Sequence, residues 1–109
     1  MTPALYDYLV AHAPPPDAVL QDLAAETAAL GPISRMQVAV EEAAFLGWLA
    51  RVIGARRAVE VGTFTGYSAI AMARGLPPTG ISSAATSVRN GRPSPAATSR
   101  VPASPTGSR

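Results

Sequence analysis

Several things are missing from this 109-residue chain, and each absence removes a class of function. There is no cysteine, so neither a disulfide framework nor a thiolate metal site exists. There is one histidine, His12, which cannot form a cluster with a second imidazole. All nine basic residues are arginine and none is lysine. Aromatics make up 6% of the chain. With so few rings to interleave with the arginines, a base-stacking surface has little to build on. No charged-then-apolar leader opens the sequence, and no apolar run approaches the ~20 residues of a membrane span. The expectation is a cytoplasmic protein with neither nucleic acid nor membrane as partner.

What is present divides into two unlike segments. Residues 1–80 carry all seven acids and five arginines, for a charge of −2, whereas residues 81–109 carry four arginines and no acid, for a charge of +4. The basic isoelectric point therefore belongs to the tail. That tail holds seven Ser, three Thr, five Ala and four Pro, with no Leu and no aromatic. Such a segment buries too little surface to offset the entropy of ordering it. A disordered, low-complexity tail is expected over 81–109, after a single domain segment over 1–80.

Within 1–80 the pattern predicts helices first. Thr2-Pro3 is a hydroxyl cap with proline at the first helical position. Leu5, Tyr8, Leu9 and His12 follow at helical spacing, and Pro14-Pro15-Pro16 stops the helix. Asp17 suits the positive end of a second helix. The face of that helix carries Leu20, Leu23, Ala24 and Leu30, interrupted by one polar residue, Thr27. Gly31 supplies a positive-φ stop, and Gly31–Arg35 reads as a loop. A third helix is expected from about Val40 to Ile53. Its apolar stripe is Phe45, Leu46, Leu49, Val52 and Ile53, with Trp48 a partly buried flank. Tyr8 and His12 read as packing residues, and Glu41-Glu42 as solvated acids of a first helical turn.

The stretch Val59-Glu60-Val61-Gly62-Thr63-Phe64-Thr65-Gly66-Tyr67-Ser68 carries the chemistry. Ala58–Val61 reads as a central parallel strand covered on both faces. A glycine turn follows, then a helix from Tyr67 to Arg74. In open α/β sheets such a junction, at the carboxyl end of a strand, is where ligands dock. Gly62 allows close backbone approach, and Gly66 allows the helix to pack near the strand. The spacing is G-x-x-x-G, without the middle glycine of dinucleotide binders or the G-K-[ST] of a P-loop. It argues for a cofactor that is not gripped by phosphate. A carboxylate at Glu60, near the end of a buried strand, is costly unless paired. A ligand ammonium would compensate it; so would Arg56, Arg57 or solvent. Ser68 and Thr63 could hydrogen-bond a ligand, or Ser68 could simply cap the backbone.

Taken together, Met36-Gln37, Glu41-Glu42, Phe45-Leu46 and the run from Val59 to Ser68 resemble the caffeoyl-CoA/catechol O-methyltransferase family, class I enzymes that use S-adenosyl-L-methionine. The resemblance covers about residues 1–80. It implies the first part of a Rossmann-like α/β methyltransferase fold: amino-terminal helices, first strand, cofactor loop and following helix. It also implies that Glu60, Gly62, Thr63, Gly66 and Ser68 bind the cofactor, with Val38 on the pocket wall. Family members commonly place Ser or Thr and then Pro near Ala39-Val40, so at Val38 only a backbone or apolar contact is implied. The implied reaction is methyl transfer to a hydroxyl of a small, catechol-like acceptor, with homodimers and a divalent metal common among full-length relatives. The metal-binding acids and the second cofactor acid lie downstream of the matching stretch, so no catalytic or metal-ligating residue is assigned here.

After Pro77-Pro78-Thr79-Gly80 the family continues with a hydrophobic strand ending in Asp, whereas this chain reads Ile81-Ser82-Ser83-Ala84-Ala85. A shifted reading frame accounts for the change. Back-translated with G/C-rich codons and read from the third base of the Gly80 codon, the tail yields a strand, an acid and an amphipathic helix. On this reading the chain is a truncated enzyme, inactive and weakly ordered alone, whose one strand lacks a neighbour. The alternative is a non-enzymatic helical fragment that associates with an intact homologue through its first two helices.

Overall fold

The computed structural model describes residues 1–85 and, for backbone alone, 99–102. Among these residues four α-helices run α1 (Pro3–His12), α2 (Ala18–Ala28), α3 (Val40–Val52) and α4 (Tyr67–Gly75). Three strands run β1 (Arg57–Val61), β2 (Ile81–Ala85) and β3 (Ser99–Pro102). The sheet order is β1-β2-β3. β1 and β2 are parallel, Arg57 opposite Ile81 and Val61 opposite Ala85, with α4 as their crossover. β2 and β3 are antiparallel. This is the expected α/β unit, with one correction: β1 does have a neighbour. Residues 81–85, expected to open the tail, continue the fold as β2, because the crossover through α4 delivers them alongside β1. Ser99–Pro102 likewise form a strand. The rest of the tail expectation falls on residues 86–98 and 103–109, outside the described residues.

The helix boundaries follow their caps. Thr2 Oγ1 accepts from the Leu5 N–H at 3.3 Å, and Pro3 follows at the first helical position. α1 stops at Ala13, whose extended backbone suits the residue before a proline. Asp17 Oδ1 accepts from the Leu20 N–H at 3.0 Å and opens α2. Gly31 takes φ +84° after that helix. The segment expected as a loop is instead a short 3-10 helix, Pro32–Met36, begun by its proline. α3 ends at Val52, one residue earlier than expected, with Gly54 at φ +65°.

Small residues, not large ones, make the main helix contact. α3 and α4 meet through Ala43, Gly47 and Ala50 on one side and Ala71 and Gly75 on the other. A β-carbon on Gly47 would sit 2.7 Å from the Ala71 carbonyl oxygen, and one on Gly75 would collide with the Gly47 carbonyl. Backbones this close leave no room for a stripe of large side chains. The expected apolar stripe is therefore corrected: Phe45, Val52 and Ile53 are exposed, and Leu46 and Leu49 are half-buried. Trp48, expected as a partly buried flank, is 55% exposed and stacks on Phe45 at 5.7 Å between centroids. Leu20, Ala43, Tyr67 and Ala71 form the core cluster, with Leu23, Ala24, Val38 and Ile70 packed on it. Leu30, expected on the buried face of α2, lies beyond its last turn and is exposed.

The sheet is covered on one side. Ala58 and Glu60 are half-buried, whereas Val59 and Val61 are 74% and 86% exposed. The expectation of a strand covered on both faces is not met among the described residues, because successive side chains alternate and α4 packs against only one face.

Candidate functional site

A cleft of about 340 Å³ opens where β1 ends, between the glycine turn, the first turn of α4 and the segment after the 3-10 helix. The turn needs its glycines. Gly62 has φ +88° and Gly66 has φ +95°, a region that a β-carbon disfavours. The Gly62 N–H donates to the Ala85 carbonyl at 2.7 Å, tying the turn to the end of β2. The Gly66 N–H donates to the Thr63 carbonyl at 2.9 Å and closes the turn. α4 then begins without a side-chain cap, which leaves its first N–H groups for solvent or a ligand.

Five of the six sequence-predicted site residues, Val38, Glu60, Gly62, Thr63 and Ser68, line this cleft. Gly66 does not; it shapes the turn beneath. Val38 is a half-buried apolar wall.

The polar atoms of the cleft are incompletely paired. The Ser68 hydroxyl donates to Glu60 Oε1. The other carboxylate oxygen, Glu60 Oε2, is buried with no hydrogen-bond partner, as are Thr63 Oγ1 and Gln37 Oε1. All three belong to residues of this one cleft. An orphaned buried polar atom costs about 1–3 kcal/mol, more when charged, so donor groups of a ligand placed here could pair with all three. The alternative partners for Glu60 are not used: among the described residues the ion pair is Asp17 with Arg74, and neither Arg56 nor Arg57 reaches Glu60.

Gln37 was missed as a site residue by sequence reasoning, although it adjoins Val38 in the same extended exit from the 3-10 helix. Thr65, which also lines the cleft, was missed too; its hydroxyl accepts from Thr27 Oγ1 at 2.9 Å. Glu41 and Glu42 lie in the first turn of α3 as expected, and Glu42 borders the cleft. His12 and Tyr8 stack on each other at 3.9 Å on the exposed surface of α1, with His12 Nδ1 2.7 Å from the Tyr8 carbonyl. Among the described residues no group of three or more His, Asp or Glu side chains could hold a metal ion. Nor is any helix there long and apolar enough to cross a membrane.

In the wall of the cleft, Tyr67 is buried, and that burial, with the Asp17 charge, pushes its phenol upward. Asp17 itself is held below the usual carboxylate range, first by the Leu20 N–H and then by Arg74. This pair joins the start of α2 to the last turn of α4.

Comparison with known proteins agrees with the fold. Residues 11–91 match the family model described as O-methyltransferase. The chain is 45% identical over 56 residues to a caffeoyl-CoA O-methyltransferase of Populus kitakamiensis, which covers 51% of this chain and 24% of that protein. The O-methyltransferase of Bacillus cereus, solved with SAH, superposes with a TM-score of 0.67 at 31% identity, over 79% of this chain and 39% of that one. TomG of Streptomyces achromogenes, an O-methyltransferase of tomaymycin synthesis solved with SAM, gives 0.65 at 32% identity, over 74% and 36%. The matched stretch spans about a quarter of the poplar relative's length.

Proposed function

Because this chain belongs to the O-methyltransferase family, we propose that its cleft holds S-adenosyl-L-methionine and serves methyl transfer to a hydroxyl oxygen. The observation that carries the reading is the set of buried, unpartnered atoms Glu60 Oε2, Thr63 Oγ1 and Gln37 Oε1 around one cavity. An α-ammonium has three N–H donors, and Glu60 Oε2 offers it a charge-assisted acceptor. The remaining roles belong to the turn and its neighbours. Gly62 and Thr63 present backbone and hydroxyl to the ligand, Gly66 holds the turn in shape, and Val38 supplies an apolar wall. Ser68 orients the Glu60 carboxylate through its hydroxyl and lies close enough to share in binding. Bound there, the cofactor supplies an electrophilic methyl on a sulfonium, taken by an acceptor oxygen as that oxygen loses its proton.

The whole protein's acceptor is proposed to be a small aromatic hydroxyl compound of the catechol type, in keeping with the names of the relatives. Calorimetry of the chain with S-adenosylhomocysteine tests the reading. Replacing Glu60 by Gln should weaken binding at least tenfold, as a hydrogen bond to a charged group is worth about 1.5–3 kcal/mol. Equal affinity of wild type and Glu60→Gln, or tighter binding of a nicotinamide dinucleotide, would rule it out.

One observation favours a second reading, an association role for α1. None of its residues is buried, and Leu5 and Tyr8 are 56% and 62% exposed. Co-purification with a full-length homologue, lost on changing Leu5 and Tyr8 to Ser, would support it. The shifted reading frame after Gly80 is likewise our proposal; nucleotide sequencing across that codon decides it.

A further inference from the structure

α2 carries one polar residue on its buried face, and that residue is among the most enclosed in the molecule. Thr27 is 2% exposed, as enclosed as Tyr67. A threonine in a helix can turn its hydroxyl back to a carbonyl of the preceding turn. Thr27 does otherwise: its Oγ1 donates to Thr65 Oγ1 at 2.9 Å, across 38 residues of chain. Thr65 sits at the middle of the glycine turn, between Phe64 at φ +49° and Gly66 at φ +95°. It lines the cleft that Thr27 does not reach.

We propose that Thr27 is a positioning residue for the cofactor turn. Its buried hydroxyl pins Thr65, and through Thr65 it holds the strained segment from Thr63 to Gly66 in the shape the ligand meets. Three observations carry this. The turn has positive φ at Gly62, Phe64 and Gly66, one of them not glycine, so its shape must be imposed by contacts. Its inner backbone contacts are the Gly66 bond to Thr63, which closes the turn around Phe64 and Thr65, and the Gly62 bond to Ala85; both lie within the β1–α4–β2 unit, and neither gives the turn a restraint from a separate element. Thr27 supplies that restraint from α2, an element outside the β1–α4–β2 unit. The link to cofactor binding rests on the reading of the cleft given above; the pinning of the turn does not.

Two measurements separate these claims. Amide hydrogen exchange on the unliganded chain reads the pinning alone. In Thr27→Val, exchange over residues 62–66 should rise about five- to tenfold, the equivalent of one net hydrogen bond, while the amides of α3 and α4 stay as protected as in wild type. Thr27→Ser should restore wild-type protection. Thr65→Val, which removes the same bond from the other end, should reproduce the local rise, and the double variant should add nothing further. Unchanged exchange at 62–66 in both single variants would overturn the proposal. So would a rise of equal size throughout the chain, which would make Thr27 a packing residue only. Calorimetry with S-adenosylhomocysteine then reads the consequence: Thr27→Val should weaken binding severalfold in the Thr65 background and not in the Thr65→Val background. A wild-type chain that does not bind the compound removes the cofactor reading and leaves the exchange result to decide the pinning.

Discussion

At the scale of single residues, the cleft trades stability for readiness. Glu60, Thr63 and Gln37 each keep a buried polar atom without a partner, and folding alone gives no return for that. Gln37 tests this trade most clearly. Gln37→Met keeps length and volume but removes the orphaned amide. It should leave the denaturation midpoint unchanged or raise it, while weakening S-adenosylhomocysteine about fivefold, the value of one neutral hydrogen bond. A protein that loses stability and keeps its affinity would mean that Gln37 serves the fold. The glycines of the turn make the opposite case. A β-carbon on Gly62 meets nothing within 4 Å, so the cost of Gly62→Ala is purely its φ of +88°. It should destabilise by about 1–2 kcal/mol in urea titration. Much of this was legible in the sequence, since a carboxylate before a glycine turn is a local pattern. Gln37 was not, because an amide in a loop has no spacing to mark it; its place appears only once the exit from the 3-10 helix brings it into the cleft.

At the scale of elements, close contact between α3 and α4 sets the architecture. Gly47→Ala should destabilise by about 1–3 kcal/mol or more, because the new methyl meets the rigid Ala71 carbonyl; a thermal melt within one degree of wild type would contradict that packing. The start of α2 offers a pH test. Asp17 is held below its ordinary value, so its contribution is present above the unfolded carboxylate pKa and lost as pH falls through the lowered one. Asp17→Asn keeps a cap but gives up the pair with Arg74. The stability gap between it and wild type should be seen at neutral pH and close in acid; since both groups are partly exposed, salt should shrink it as well. The caps at Thr2 and Asp17 were readable because capping is set by neighbours in sequence. The burial of α3 was not. Periodicity marked its large residues as the inner stripe, whereas Gly47 opposite Gly75 brings the backbones together and turns Phe45 and Trp48 outward.

At the scale of the whole molecule, two features reach beyond these residues. The Val59 and Val61 side of the sheet and the Phe45–Trp48 side of α3 are both apolar and exposed, and the matched stretch is a quarter of the poplar relative's length. Sequence reading anticipated the parallel β1 but not β2, because Ile81-Ser82-Ser83-Ala84-Ala85 has little strand character of its own. Its pairing comes from the crossover through α4 and from the bond between Gly62 and Ala85. The central claim is that one cleft, at the end of β1, receives the cofactor. Titration of the labelled chain with S-adenosylhomocysteine, followed by amide and side-chain NMR shifts, tests it most directly. Shifts should concentrate at Gln37, Val38, Gly62, Thr63 and Ser68, with the Gln37 side-chain amide among the largest. A saturating response centred instead on Trp48 and Arg51, which border a separate groove between α3 and α4, or no response at millimolar ligand, would contradict it.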